Sequence, residues 1–386
     1  MNSLDYLFWA LLTYLAIDIL DDPQNRKFII WGIVAGFGML NKISVSWLIA
    51  GFFVALFLSE KRKLLKTPYP WLAGIIALLI FSPYIIWNVM HDFAHLEFMR
   101  NAVAQKYAEM TRIRFLTEQI MFMSPFVIIL ALCGIWYSAF TKEGRKNIVP
   151  AAIWLTTIII LLVNSHSKPE YLGAAYPSLL AVGAVFLEKK LNLSRWLLYP
   201  IKYVLPTLII VSGIVALPAV IPILKVEGTI KYLKVTGLNP KSNEGHKLTQ
   251  LHQFYADMHG WEELVESVKK VVDAIPGKDT LSILIVANNY GEAGAINVIG
   301  KKYNLPYCTT EHNSYWIWGF ERDKYDVYIS IGDSEEDVKS YAVDPVLKGI
   351  HTAKYAMPYE SKLNIWVAYK LKYPLKEIWK GAKKYI

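Results

Sequence analysis

Asn164-Ser-His-Ser-Lys-Pro-Glu-Tyr-Leu-Gly-Ala-Ala-Tyr-Pro177 is a polar island between two apolar runs, residues 148–163 and 174–187. Lys168 therefore stands at the rim of a hydrocarbon layer, where an ammonium is costly unless it meets an anion or snorkels to water. The loop reads in two ways. It is either the mouth of a site for a phosphate carried on a lipid, or the ordinary polar connection between two membrane helices.

Working outward, further apolar runs occupy residues 4–20, 28–40, 43–58, 70–88, 115–140 and 203–224. Several approach the roughly 20 residues that cross a bilayer as a helix. Runs 28–40 and 43–58 are separated only by Asn41-Lys42. As one helix they would extend about 46 Å at 1.5 Å per residue, too long for an untilted span. Two shorter helices turning at Asn41-Lys42 fit better. The expected architecture is a multi-pass α-helical membrane domain over 1–224 with about eight membrane segments, then a small soluble domain over 225–386.

Of the 386 residues, 54% are hydrophobic, and these concentrate before residue 225. Residues 1–224 carry 19 Lys and Arg against 12 Asp and Glu, whereas 225–386 carry 22 against 20. The excess positive charge thus belongs to the membrane half, and nucleic-acid binding is not its explanation. Cys133 and Cys308 offer neither a disulfide framework nor metal-ligand spacing.

Loop cations predict orientation. Thirteen lie in one set of loops, around Arg26, Lys61–Lys66, Lys142–Lys146 and Lys189–Lys202, and six in the other. The richer set is expected to be cytoplasmic. Asn41-Lys42, the loop 88–114, the loop 164–173 and the whole domain after 225 then share the outer side of the plasma membrane. Met1 would lie outside too, just before the first span, which suggests that further helices precede this chain.

On that outer face Asp5 is placed to cap the first helix or hold a cation, and Lys42 lies at the turn between the short helices. The loop 88–114 brings Asn88, His91, Asp92, His95, Glu97 and Arg100 to the expected substrate mouth, followed by Arg112 and Arg114. It is amphipathic enough to lie along a membrane surface. Its His/Asp/Glu spacing suits either a divalent metal or plain interfacial polarity. Several cations at one apolar rim suit a phosphate on a hydrocarbon tail.

After Leu224 the texture becomes mixed, with a turn-rich loop at 237–245. Residues 257–274 read as an amphipathic helix burying Leu264, Val268, Val271 and Val272. Strands are expected at 281–287, 325–331 and 347–355, with helices following the first two, which is a small α/β layered domain. Gly291 and Gly294 open a helix that either presents amides to an anion or simply makes a tight turn. In His312-Asn-Ser-Tyr-Trp-Ile-Trp-Gly319, the rings of Trp316 and Trp318 beside His312 and Asn313 suit a sugar face or docking onto the membrane half. Lys370 to Ile386, with six lysines, reads either as a surface for anionic lipid or, the favoured reading, as a solvated basic helix.

Five stretches together resemble a known family: Met1-Asn-Ser-Leu-Asp-Tyr-Leu-Phe-Trp-Ala-Leu11, Gly36-Phe-Gly-Met-Leu-Asn-Lys-Ile-Ser44, Pro83-Tyr-Ile-Ile-Trp-Asn-Val-Met-His91, Lys168-Pro-Glu-Tyr-Leu-Gly-Ala-Ala-Tyr-Pro177, and Asn289-Tyr-Gly-Glu-Ala-Gly-Ala295 with His312–Gly319. They resemble prokaryotic membrane glycosyltransferases of the protein O-mannosyltransferase and aminoarabinose-transferase type, family 39 of the GT-C fold.

The resemblance implies a transferase moving a hexose or pentose from a polyprenyl-phosphate carrier to an extracytoplasmic lipid, glycan or protein. Asp5 then matches the family's second acid, and Lys168 and Tyr171 match the Lys-x-x-Tyr that meets the carrier phosphate. Lys42 and Arg100 join them on the donor side, and Asn289, Tyr290, Glu292, His312, Asn313, Trp316 and Trp318 are the candidates of the soluble domain. The Asp-Glu loop that supplies the family's base has no counterpart here, so this chain is expected to be an incomplete form. Ala174 stands where the family usually has proline, a departure that bears on the loop's rigidity. A divalent cation is compatible with this chemistry but not demanded by it. The alternative is a membrane-anchored protein whose outer domain binds glycan or peptide without catalysis.

Overall fold

Residues 2–105, 107, 109–191, 200–240 and 247–386 are described by the computed structural model. Met1, the loop cations Lys106 and Arg195, and residues 241–245 of the turn-rich loop lie outside them, as does the side chain of Lys190. The chain divides into two compact units, Met1–Phe93 with Glu109–Leu217, and Ala94–Ala108 with Pro218–Ile386. The stretch 94–108, read from sequence as part of the membrane half, is assigned by contacts to the second unit.

In the first unit each apolar run is helical: α1 (Asn2–Asp21), α2 (Asn25–Asn41), α3 (Val45–Leu58), α4 (Tyr69–Met90), α6 (Arg112–Met123), α7 (Pro125–Phe140), α8 (Ile148–Val163), α9 (Tyr176–Leu191) and a further helix at Leu205–Val220. The intervening α5 (Ala94–Gln105) belongs to the second unit. Among the described residues five helical stretches are long and apolar enough to cross a membrane, or six if α6 and α7 count as one. This is a multi-pass membrane protein with five to six candidate spans. Of the eight expected segments, α2 and α3 fall short of a span's length, with 17 and 14 residues.

The run 115–140, expected as one segment, is two helices bent by 108°. Pro125 is the cause, because its ring excludes Ser124 from the helical region. Ser124 adopts φ 70°, and its hydroxyl accepts from the Phe126 N–H.

Lipid tails are as apolar as leucine, so helices in a bilayer associate by close packing at small residues. At Gly32 an added Cβ would lie 2.5 Å from the Ala73 carbonyl oxygen, and at Gly36 2.7 Å from Ile80 Cβ, so α2 and α4 touch almost backbone to backbone. Gly51 meets Ile153 in the same way between α3 and α8, and Gly134 meets Leu179 between α7 and α9.

In the second unit a five-stranded sheet has the order β2-β1-β3-β5-β4. Its strands are β1 (Ile283–Ala287), β2 (Cys308–Thr309), β3 (Val327–Ile331), β4 (Val346–Thr352) and β5 (Lys362–Ala368). β1 runs parallel to β2 and β3, while β5 is antiparallel to β3 and β4. The expected helix forms over Trp261–Asp273 and buries Leu264, Val268, Val271 and Val272 against Ile285, Ile329 and Ile365. Since the chain leaves β1 toward β2 and then returns past it to β3, a topological switch lies between β1 and β3, the usual place for a crevice at the strands' carboxyl ends.

The carboxy-terminal stretch differs from its expected form. Its helix is short, Leu375–Gly381, and it is docked rather than solvated, with Leu375, Trp379 and Tyr385 buried.

Candidate functional site

Two groups of polar side chains stand out, one in each unit. In the first unit Asp5 lies in the opening turn of α1 with only 3% of its surface exposed. The Lys42 ammonium meets its Oδ2 at 3.3 Å, and the Ser44 hydroxyl donates to the same carboxylate at 3.4 Å. Lys42 follows the last turn of α2, where the helix dipole favours a cation, and Asp5 sits at a helix start, where it favours an anion. The Lys42 ammonium also lies over the Tyr171 ring, 5.9 Å from its centre, and the Trp47 and Tyr171 ring centres are 6.5 Å apart.

The loop 164–175 is firmly held. Gln119 of α6, buried, donates to the Pro169 carbonyl at 2.9 Å and accepts from the Tyr176 hydroxyl at 3.2 Å. Met110 N–H bonds the Ser165 carbonyl, and Tyr171 N–H bonds that of Lys168. Gly173 has no side chain because the Tyr6 hydroxyl occupies the space a Cβ would take. The fold therefore gathers Asp5, Lys42 and Tyr171 at one end of the helices, with half-buried Lys168 three residues before the tyrosine. Ser44 and Gln119 escaped the sequence reading, because nothing local marks a serine or glutamine whose partner is distant.

The donor set at Asp5 is one carboxylate, one hydroxyl and an ammonium. It suits the lysine it already holds rather than a divalent ion. A cleft of about 720 Å³ in this unit lies elsewhere, among Leu58–Lys61 and Lys142–Lys146.

The expected mouth 88–114 is divided between the two units. Asn88, His91 and Asp92 belong to the first unit, His95 and Arg100 to the second. Asn88 is buried and donates to the Tyr84 carbonyl; the His91 ring stacks on Trp87 and bonds its carbonyl. Asp92 and Phe93 both take positive φ and end α4. In α5, burial lowers the pKa of His95, Glu97 pairs with Lys383 at 2.6 Å, and Arg100 is exposed. Among the described residues no group of three His, Cys, Asp or Glu is placed to hold a metal, so the His/Asp/Glu spacing of this loop builds none there.

The second unit's group surrounds the carboxyl end of β1. Asn289 caps the helix Tyr290–Ile299, its Oδ1 accepting from the Gly291 and Glu292 N–H groups. Those amides are thus satisfied by the chain itself, and the tight-turn reading of Gly291 describes them. The Asn289 amide donates to Glu292 at 2.9 Å and also bonds Glu360. Glu292 is fully buried, accepts from the Asn288 N–H at 3.0 Å, and has its pKa pushed up to about 8, chiefly by loss of solvent. Glu360 is raised to about 7 by burial and by the facing Asp257 carboxylate. A cleft of about 520 Å³ opens here, with Trp261, Tyr290 and Tyr359 among its walls.

Of the soluble-domain candidates, Asn289, Tyr290 and His312 come together at this cleft, with the Tyr290 and His312 rings 4.8 Å apart, while Glu292 is buried behind Asn289. Asn313 and Trp316 do other work. His312 Nε2 and the Asn313 amide both bond the Ile386 carbonyl. The indoles of Trp316 and Trp379 each donate to the other residue's carbonyl, at 2.9 and 3.0 Å. The motif 312–319 thus fastens the chain's own residues 379–386, a role neither sequence reading foresaw. Trp318 stays 64% exposed. Asp257, Trp261 and Glu360 were missed because Glu360 is far from the other two in sequence and nothing local marks any of the three.

No curated protein and no solved structure matches the chain. Residues 1–87 match the family described as dolichyl-phosphate-mannose-protein mannosyltransferase, a stretch that contains Asp5, Lys42 and Ser44.

Proposed function

We propose that this protein is a membrane glycosyltransferase of the lipid-phosphate-sugar type, with Asp5, Lys42, Lys168 and Tyr171 on its donor side. The observation that carries the reading is the Asp5–Lys42–Tyr171 cluster beside the loop of Lys168, lying within and next to the stretch that resembles mannosyltransferases. In such a transfer the acceptor oxygen or nitrogen bonds the sugar's anomeric carbon as the bond to phosphate oxygen breaks. The departing lipid phosphate gains charge, and cations fixed in advance stabilise it without reorganisation.

Lys42, steadied by Asp5, and Lys168 supply those cations, and the Tyr171 hydroxyl adds a neutral donor. The polyprenyl carrier, the sugar and an acceptor lipid, glycan or protein are the finer terms of this proposal. So are eight membrane segments and an outer position of the second unit at the plasma membrane, supported by the bias of loop cations. The residues assigned here serve the donor; no residue of the chain is assigned as the acceptor's base.

The test is binding of radiolabelled polyprenyl-phosphate mannose to the full chain in lipid nanodiscs, alongside transfer to added acceptor. Lys168→Ala is expected to weaken donor binding about tenfold, the effect of one charged hydrogen bond. Exposed Lys348→Ala is expected to leave it unchanged. Equal binding by both variants overturns the phosphate role.

A further inference from the structure

The cleft at the carboxyl end of β1 lies within the second unit and outside the stretch that resembles mannosyltransferases. Glu360 in its wall is more than nine-tenths buried, and its Oε2 has no hydrogen-bond partner among the described residues. A buried polar atom of this kind normally finds a partner, and one left over at a cleft calls for a ligand donor. Asn289 cannot serve both oxygens, since its amide is shared between Glu360 and Glu292 and its own oxygen caps a helix.

The rest of the lining narrows what that donor belongs to. Asp257 faces Glu360, and Lys384, held by the Asn288 side chain at 3.0 Å, supplies the opposite charge, so the walls mix signs rather than favour one. The Asn288 side chain, whose oxygen holds Lys384, stands beside them. Aromatic surface completes the walls. The Trp261 indole N–H is spent on the Asp257 carbonyl at 2.7 Å, and Tyr290 and Tyr359 are 48% and 42% exposed. Carboxyl and amide groups of both polarities facing rings match a ligand whose edge is hydroxyl groups and whose faces are C–H. The volume is that of an ordinary small-molecule pocket.

We propose that this cleft is a saccharide-binding site, in which Glu360 Oε2 and Asp257 accept from sugar hydroxyls while Tyr359 and Tyr290 pack against the ring. The high pKa of Glu360, about 7, agrees with this, because a carboxyl near its midpoint at neutral pH can donate as well as accept. The proposal does not rest on the transfer reaction, and the sugar held here need not be the one transferred.

The experiment uses the full chain in lipid nanodiscs, free of sugar-based detergent. Saturation-transfer NMR is recorded with methyl glycosides of the common neutral hexoses, with maltotriose, and with propylammonium chloride. At least one neutral saccharide is expected to show saturated ring C–H protons. Tyr359→Ala, at an exposed position, is expected to abolish that signal, and Glu360→Ala to weaken binding at least tenfold, with amide exchange of β1 and β3 confirming that the sheet is intact. Lys168→Ala is expected to keep saccharide binding, which separates this site from the donor site. Saturation of propylammonium alone would mean a cation site and overturns the proposal. So does the absence of any saccharide signal, or a signal untouched by both cleft variants.

Discussion

Asp5 and Lys42, 37 positions apart in sequence, form an ion pair of 3.3 Å in which the carboxylate side chain is 4% exposed and the ammonium 29%. Such a pair gives little net stability, because desolvation offsets attraction, yet removing one partner leaves a buried charge alone. Lys42→Ala is expected to cost about 3–5 kcal/mol, whereas Asp5→Leu with Lys42→Met should recover most of it. Denaturation of the three proteins in detergent decides the point; a double variant no better than Lys42→Ala rejects it.

The α2–α4 seam makes a sharper steric prediction. Gly32→Ala places a methyl group 2.5 Å from a backbone oxygen, so the helices must part, at about 1–3 kcal/mol. At Gly74, on α4 itself, a Cβ meets nothing within 4 Å. Gly74→Ala should therefore be neutral or stabilise by up to about 1 kcal/mol through helix propensity. The melting temperature should fall for Gly32→Ala and stay level or rise for Gly74→Ala.

The buried acids of the second unit set its pH dependence. Glu292 is raised to about 8, Glu360 and Glu311 to about 7, each chiefly by burial. Between the unfolded carboxylate range and these values the folded state binds more protons than the unfolded, so stability falls as pH rises. It is fully present below about pH 4.5 and is lost through the window from about 4.5 to 8. Amide exchange of β1 and β3 should be slower at pH 5 than at pH 8 once corrected for intrinsic rates. Glu292→Gln, neutral throughout, should flatten the difference.

The reciprocal indole bonds of Trp316 and Trp379 predict a local effect. Trp379→Phe removes one hydrogen bond at about 1 kcal/mol, and Trp379→Ala adds a cavity for a total of about 3–5 kcal/mol. Exchange of residues 375–386 should accelerate strongly in the alanine variant, while β4 and β5 should change less. Uniform acceleration of the whole unit would show that the fastening is global.

The sequence made the helical unit legible because apolar length is a signal each segment carries by itself. It concealed the break at Ser124, since an unbroken apolar run outweighed the single proline that enforces it. In the second unit, Ile283–Ala287 and Val327–Ile331 were visible as short apolar runs. β5 was not assigned, although Leu363, Ile365 and Val367 alternate as a half-buried strand does. β2, two residues long, has no periodicity to read. Asp5, Lys42 and Tyr171 could be nominated from helix ends and family likeness, but their meeting depends on tertiary packing. The cleft was only half visible: Asn289 and Glu292 lie in one motif, while Asp257 and Glu360 arrive from about 30 positions before it and 70 after it in sequence, and carry no local mark.

The glycine seams have a mechanical consequence. Where α2 meets α4, α3 meets α8 and α7 meets α9, glycines leave little side chain in the crossing, so sliding would drive backbone atoms close past one another. Each couple behaves as a stave, stiff within itself. Displacement is easier at the joints between staves, where side chains mediate. α1 is such a joint. It is tied to the α2–α4 stave through Asp5 and Lys42, and it reaches the 164–175 loop through Tyr6 against Gly173. A shift of α1 would therefore move the cluster's carboxylate and the tyrosine loop together, so the geometry of the polar cluster depends on how firmly α1 is seated among its neighbours.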